Sequence, residues 1–343
     1  MKTARAALLK FPRFLPVMLA AWWCVSCGGG PNSGTSAPSS TPQTIDQPSP
    51  PPPPPPPLSP AQQTAEQNPA CQLIQPFYFE IGDAGGVITN ASVGAGAPTA
   101  TTPMMIASGT KWLFGAYVAE VRSGVLSPAD LLETHMISGY VGMGFMDQCD
   151  PLSTVSSCFN TPPNNTFTLT SLGRFDYGGG HFQKWGVDNG LGDMGIVALT
   201  AEFQRTLEPG VAFINPTLAG GAFMSASEYA AFLRKILRGE LKIAALLGTN
   251  PVCTLPGVCP TADFSPIQLA WHYSVGHWVE DDPATPGDGS FSSPGALGFY
   301  PWIDSTKTYY GIVARQSASG NPVADSIECG RLIRKAFITG VPQ

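Results

Sequence analysis

Charge is scarce in this sequence. Of 343 residues, 12% are Asp, Glu, Lys or Arg, against 43% that are hydrophobic. No basic cluster is present to meet a nucleic-acid backbone, so a nucleic-acid partner is not expected. Histidine is rarer still: four copies, His135, His181, His272 and His277, are scattered, and no C-x-x-C occurs among the six cysteines from Cys71 onward. That argues against a metal site, and no cofactor is expected. No G-x-S-x-G is written anywhere, so the strand–turn–helix elbow of a Ser-His-Asp hydrolase is excluded. Nor is any apolar run near the N-terminus long enough to span a bilayer, since Phe14–Trp23 is too short.

What that region does contain has the pattern of an export signal. Lys2, Arg5, Lys10 and Arg13 precede the apolar run, with no acid before Asp46. The segment closes on C-V-S-C-G-G-G, which resembles a bacterial lipoprotein signal with Cys27 as the lipidated residue, although Cys24 stands where Leu is usual. Residues 1–27 are therefore read as a signal of lipoprotein type. The expected location is a membrane-anchored lipoprotein exported from a bacterial cell, periplasmic or on the surface, with plain secretion as the alternative. Residues 28–70, with an unbroken proline run from Pro50 to Pro57, read as a semi-rigid spacer. Past the signal, 24 acids face 14 bases, a formal −10.

Six cysteines lie beyond the spacer, an even number that reads as disulfides in an exported chain. Cys149/Cys158 and Cys253/Cys259 are close enough to staple loops, leaving Cys71 to meet Cys329. The domain is expected over residues 71–343, opening on a hairpin, Phe77–Ile81 and Val87–Thr89, around the D-A-G-G turn. Helices are expected over Ala129–Thr134, Ile196–Leu207 and after the Ser225-x-x-Glu228 capping box. Residues 139–171 read as loop. The last third returns to strands, Ala270–Val279, Gly295–Ile303 and Thr308–Arg315, before a closing helix over about 324–337. The sum is an α+β fold: helices flanking an antiparallel sheet, with a mainly helical insertion over about 125–265.

The stretch with chemical content is Ser108–Gly124. A helix beginning near Ser108 puts its hydroxyl and the Lys111 amine one turn apart on one face. The residues that follow are apolar almost all round, which describes a buried helix. Ser is also a favoured N-cap and Lys can snorkel outward, so the pair alone is weak. Further on, F-D-Y-G-G-G-H runs from Phe175 to His181, where three glycines permit unusual backbone angles or close approach.

Taken in order, these segments resemble the serine β-lactamases and penicillin-binding DD-peptidases, in the class C-like branch that includes esterases. The carriers are Ser108-Gly109-Thr110-Lys111, Tyr177-Gly178-Gly179, Ser293-Pro294-Gly295 with Gly298 following, and the run Ala219–Ser225. The resemblance implies Ser108 as nucleophile, Lys111 as base and Tyr177 as proton relay, with the Ser108 and Ala296 backbone N–H groups holding the oxyanion. Desolvation and a helix N-terminus would lower the Lys111 pKa. Gly179, His181, Ser293 and Gly295 are expected to line the substrate. His181 has a structural reading as well.

Two departures bear on substrate. Gly179 stands where the lactamases carry Asn, and Ser293 where they carry a Lys or His that helps bind a carboxylate. The expectation is thus a small-molecule ester or amide substrate, with esters favoured. A β-lactamase or D-alanyl-D-alanine carboxypeptidase is the alternative, and a binding module that keeps the fold without turnover is another.

Overall fold

Alternation from Phe77 builds a hairpin, and that hairpin pairs with the last strand of the chain. The computed structural model describes residues 57–142, 149–283 and 287–343; the expected signal, Cys27 and most of the proline-rich stretch lie outside them. Strands β1 (Phe77–Asp83) and β2 (Val87–Val93) turn on Asp83, whose Oδ1 accepts from the Gly85 N–H at 2.7 Å. Six further strands follow much later: β3 (Val252–Cys253), β4 (His272–Tyr273), β5 (Trp278–Glu280), β6 (Ser290–Ser292), β7 (Tyr300–Ile303) and β8 (Tyr309–Ala314). They form one antiparallel sheet in the order β2-β1-β8-β7-β6-β5-β4-β3, with Phe79 opposite Val313. Everything between β2 and β3 is inserted, which is the α+β architecture.

Helices α1 (Pro60–Gln67) and α2 (Pro69–Leu73) precede the sheet. The insertion carries α3 (Thr110–Val121), α4 (Pro128–Thr134), α5 (Val155–Phe159), α6 (Gly180–Asp188), α7 (Ile196–Thr206) and α8 (Ala226–Leu237), and α9 (Pro322–Thr339) closes the chain. β8 shows how the layers stack. It is buried from Tyr310 to Ala314, and alternate side chains point to opposite faces. The Tyr310 hydroxyl accepts from Arg234 of α8 at 3.0 Å, whereas Val313 packs beside Gly330 of α9. Arg334, 1% exposed, ties α9 to the sheet through Glu280 and Asp288, each at 2.7 Å. Cystines join Cys71 to Cys329, Cys149 to Cys158 and Cys253 to Cys259.

The structure departs from the sequence reading in four places. α1 and the start of α2 fall inside the stretch expected to be spacer: Ser59 and Gln62 form a capping box with Pro60 at the first helical position, and α1 packs on α9. The expected strand Ala270–Val279 is two short strands around a turn, where Gly276 takes φ +71°. Only Tyr300–Ile303 of the expected Gly295–Ile303 is strand, because Gly298 donates back to Gly295 in a turn. Residues 139–171 are not all loop, for Ser138–Tyr140 pairs with Phe167–Leu172 and α5 lies between.

Candidate active site

Ser108 lies in a single 3₁₀ turn, Ala107–Gly109, immediately ahead of α3. Ala107 sits at φ +46°, a left-handed conformation that costs a residue with a Cβ about 1–3 kcal/mol. Contacts from three directions hold the turn. The Tyr229 hydroxyl donates to the Gly109 carbonyl at 2.8 Å, Ser293 Oγ donates to the Ser108 carbonyl at 2.8 Å, and Thr110 Oγ1 accepts from the Ala222 N–H at 3.1 Å. Neither the turn nor α3 is capped by a side chain, so Ser108 is no N-cap.

Lys111, one turn on, is 5% exposed. Its Nζ donates to Ser108 Oγ at 3.0 Å and to the Ala219 carbonyl at 2.8 Å. Among the described residues no carboxylate pairs with it. Burial lowers this amine from 10.5 to about 7, because the charged form has lost its water. A lysine at about 7 is half deprotonated at neutral pH, as a general base must be.

Tyr177 closes the group. Lys111 Nζ sits 4.6 Å from its ring centroid, and the ring stacks on Trp278 at 5.3 Å. Burial pushes the phenol up to about 12, and the Ser108 hydroxyl and the Trp278 side chain pull it partly back. It therefore keeps its proton at neutral pH and can donate it.

Ser108, Lys111, Tyr177, Gly179 and Ala296 line one cavity of about 550 Å³. Phe264, Ile267, Trp278 and Leu297 give it apolar walls, and Lys111 is the one charged side chain among its described lining residues. Ala296 lines this cavity, and its N–H has no acceptor among the described residues.

Three expected lining residues are elsewhere. Ser293 is 1% exposed and spends its hydroxyl on the Ser108 carbonyl. Gly295 lies against Ile106, whose carbonyl oxygen would be 2.2 Å from an added Cβ; it lets two segments touch and is not among the residues lining the cavity. His181 is fully buried, with Nδ1 2.7 Å from Ser138 Oγ and Nε2 2.9 Å from the Asp176 carbonyl, and burial lowers it to about 4. It braces the residue before Tyr177. The neighbouring glycines serve close approach and not unusual angles: none has positive φ, and a Cβ on Gly178 or Gly180 would come within 2.8 or 2.6 Å of the Val141 or Tyr140 carbonyl.

Other members of the site lie outside the S-x-x-K and Tyr-led motifs. The Ala219 carbonyl, Trp278 and Phe264 belong here, as does Gln183, which lies fully buried behind the loop bearing Ala219. The Ala219-Gly220-Gly221 run was the one available signal.

No protein-family profile and no curated protein sequence matches the chain. Solved structures do. D-amino acid amidase from Ochrobactrum anthropi SV3 superposes with a TM-score of 0.58 at 11% identity, over 80% of this chain and 98% of that one. A structure assigned as a β-lactamase from Bacteroides dorei gives 0.56 at 20% identity, over 78% and 93%. A penicillin-binding protein from Bacillus halodurans gives 0.51 at 13%, over 74% and 95%. The fold is that of the β-lactamases and penicillin-binding proteins. Within this β-lactamase-like fold, the S-x-x-K turn, the Tyr-led loop and the segment after β6 converge on one cavity.

Proposed function

We propose that the chain is an exported serine hydrolase that cleaves carboxylic esters through an acyl-enzyme on Ser108. The observation that carries this reading is a buried amine held 3.0 Å from a serine hydroxyl, with burial setting its pKa at about 7. Neutral Lys111 takes the Ser108 proton as Oγ adds to the ester carbonyl. The Ser108 and Ala296 N–H groups hold the oxyanion, a donor pair of which each member is worth about 3 kcal/mol. Tyr177 then protonates the leaving alkoxide and regains a proton from Lys111. Water, deprotonated by the same amine, releases the acid.

The ester preference rests on what surrounds that machinery. The described cavity wall offers no cation besides Lys111, so nothing there favours an anionic β-lactam or a peptide carboxylate. The β-lactamase or D-alanyl-D-alanine carboxypeptidase reading remains the rival activity, and a non-catalytic binding module the rival class. Incubation with p-nitrophenyl acetate and butyrate beside a chromogenic cephalosporin separates the three. Ester turnover that vanishes in Ser108→Ala supports the proposal; faster cephalosporin cleavage overturns it. No acylation by either, and no labelling by a fluorophosphonate, favours the binding module.

Export rests on the signal-like first 27 residues and on three cystines, which persist in oxidising compartments. Mass spectrometry of the mature N-terminus tests the anchor: lipid on Cys27 supports it, and an unmodified N-terminus means plain secretion.

A further inference from the structure

A second cavity, about 700 Å³, adjoins the first. Pro266, Ile267 and Val323 line both, so no more than a side chain separates the two spaces. The second is floored by one face of α9, where Val323, Ile327, Arg331, Arg334 and Ile338 recur at helical spacing, and Leu269 faces them. Its inner charges are already matched. Arg334 pairs with Glu280 and Asp288, and Arg331 with Asp282 at 3.2 Å. Glu328 and Lys335 stand exposed at its margin, and the surface between is mainly apolar, including Ile338, an isoleucine left 56% exposed at one end.

We propose that this second chamber holds the aliphatic chain of a medium- or long-chain ester whose carbonyl is attacked at Ser108. The proposal rests on the ester reading above and adds the class of ester. The first cavity takes the reacting carbonyl and its near carbons. The chain then crosses at Pro266, Ile267 and Val323 and lies along α9. Short esters leave the second chamber empty and forgo its contribution to transition-state binding.

Two homologous series test it on the full chain: p-nitrophenyl esters from acetate to dodecanoate, and alkyl acetates of matching lengths. The expected result is that kcat/KM climbs roughly fourfold per methylene beyond butyrate in one series, the series identifying an acyl or an alcohol chain. Ala324 and Glu328 are exposed residues of α9 that line the second chamber alone. Ala324→Trp, with Glu328→Trp as the second variant, should bring octanoate back to the butyrate level. A plateau at butyrate in both series, or a climb untouched by either tryptophan, overturns the proposal. Binding to Ser108→Ala separates the two layers of inference. A preference of that variant for decyl over butyl acetate, or for ethyl decanoate over ethyl butyrate, erased by Ala324→Trp, keeps the chamber even if no ester is turned over, in which case the ester reading alone fails. No chain-length preference in binding, together with ester turnover, sinks the chamber and spares the ester reading.

Discussion

Ser293 Oγ donates to the Ser108 carbonyl at 2.8 Å across 185 residues of sequence. Ser293 thus fastens the segment after β6, which carries the cavity-lining Ala296, to the turn that holds Ser108. Ser293→Ala leaves a buried carbonyl unpaired, a cost of about 1–3 kcal/mol. On the proposed mechanism it also frees the two oxyanion donors to drift apart, and misplacement on the order of 1 Å can cost about a hundredfold. The expected outcome is a fall in kcat with KM little changed, beside a modest drop in the urea midpoint. An unchanged kcat would show that the bond does not set the geometry.

The pH dependence follows from Lys111. Its base form must be present, so ester kcat/KM should rise with pH through about 7 and then level. Burial also raises Glu133 to about 7, but Glu133 is not on the cavity, so Glu133→Gln should keep the inflection. Lys111→Arg, permanently charged, should lose about 10²–10⁴-fold.

Stability carries the opposite mark of the same shift. The folded-state pKa is about 7 and the ordinary value 10.5, so between those limits the unfolded chain binds more protons and wild-type stability rises with pH. Below about 7 the charged amine is buried at full cost. Lys111→Met should therefore raise the melting temperature most at pH 6, with the advantage shrinking by pH 9, while abolishing turnover. A melting advantage independent of pH would remove the buried-amine account.

Some of this was legible in sequence for physical reasons. A hydroxyl and an amine three residues apart on a helix must share a face, so Ser108 and Lys111 could be paired before any fold was known. The hairpin and the long amphipathic helices follow from simple periodicity and caps. The short strands do not: Ser290-Phe291-Ser292 is buried throughout, so it has no alternation to read. α1 was concealed because the prolines before it dominated the local composition, although Ser59-Pro60-Ala61-Gln62 is itself a capping box. Ser293, Gly295 and His181 were expected to line the substrate, and none of them lines the cavity. Their roles depend on which neighbour each one touches, and that is a tertiary fact.

Gln183 shows how the base is aimed. Its Nε2 donates to the Pro216 carbonyl at 2.7 Å and the Val155 carbonyl at 3.1 Å, while its Oε1 accepts from the Leu218 N–H at 3.1 Å. The next residue is Ala219, the carbonyl acceptor of Lys111. Gln183→Leu should loosen that loop, admit water and let the amine return toward its ordinary pKa. The expected readout is an upward shift of the kcat/KM inflection, which a purely structural loss would not produce.

Cys71–Cys329 fastens α2, ahead of the sheet, to α9 behind it, and it closes a loop of sequence separation 258. A long loop is where a cross-link most restricts the unfolded chain, and losing a native disulfide typically costs about 2–5 kcal/mol. Cys71→Ser/Cys329→Ser should therefore melt well below the wild type. The turn that carries Ser108 lies ahead of α3 and is held by hydrogen bonds from Tyr229, Ser293 and Ala222, which belong to neither α2 nor α9. Below its lowered melting point the double variant should keep near-wild-type kcat on p-nitrophenyl butyrate. Loss of kcat while circular dichroism still reports a folded protein would mean that α9 positions the nucleophile as well as the second chamber.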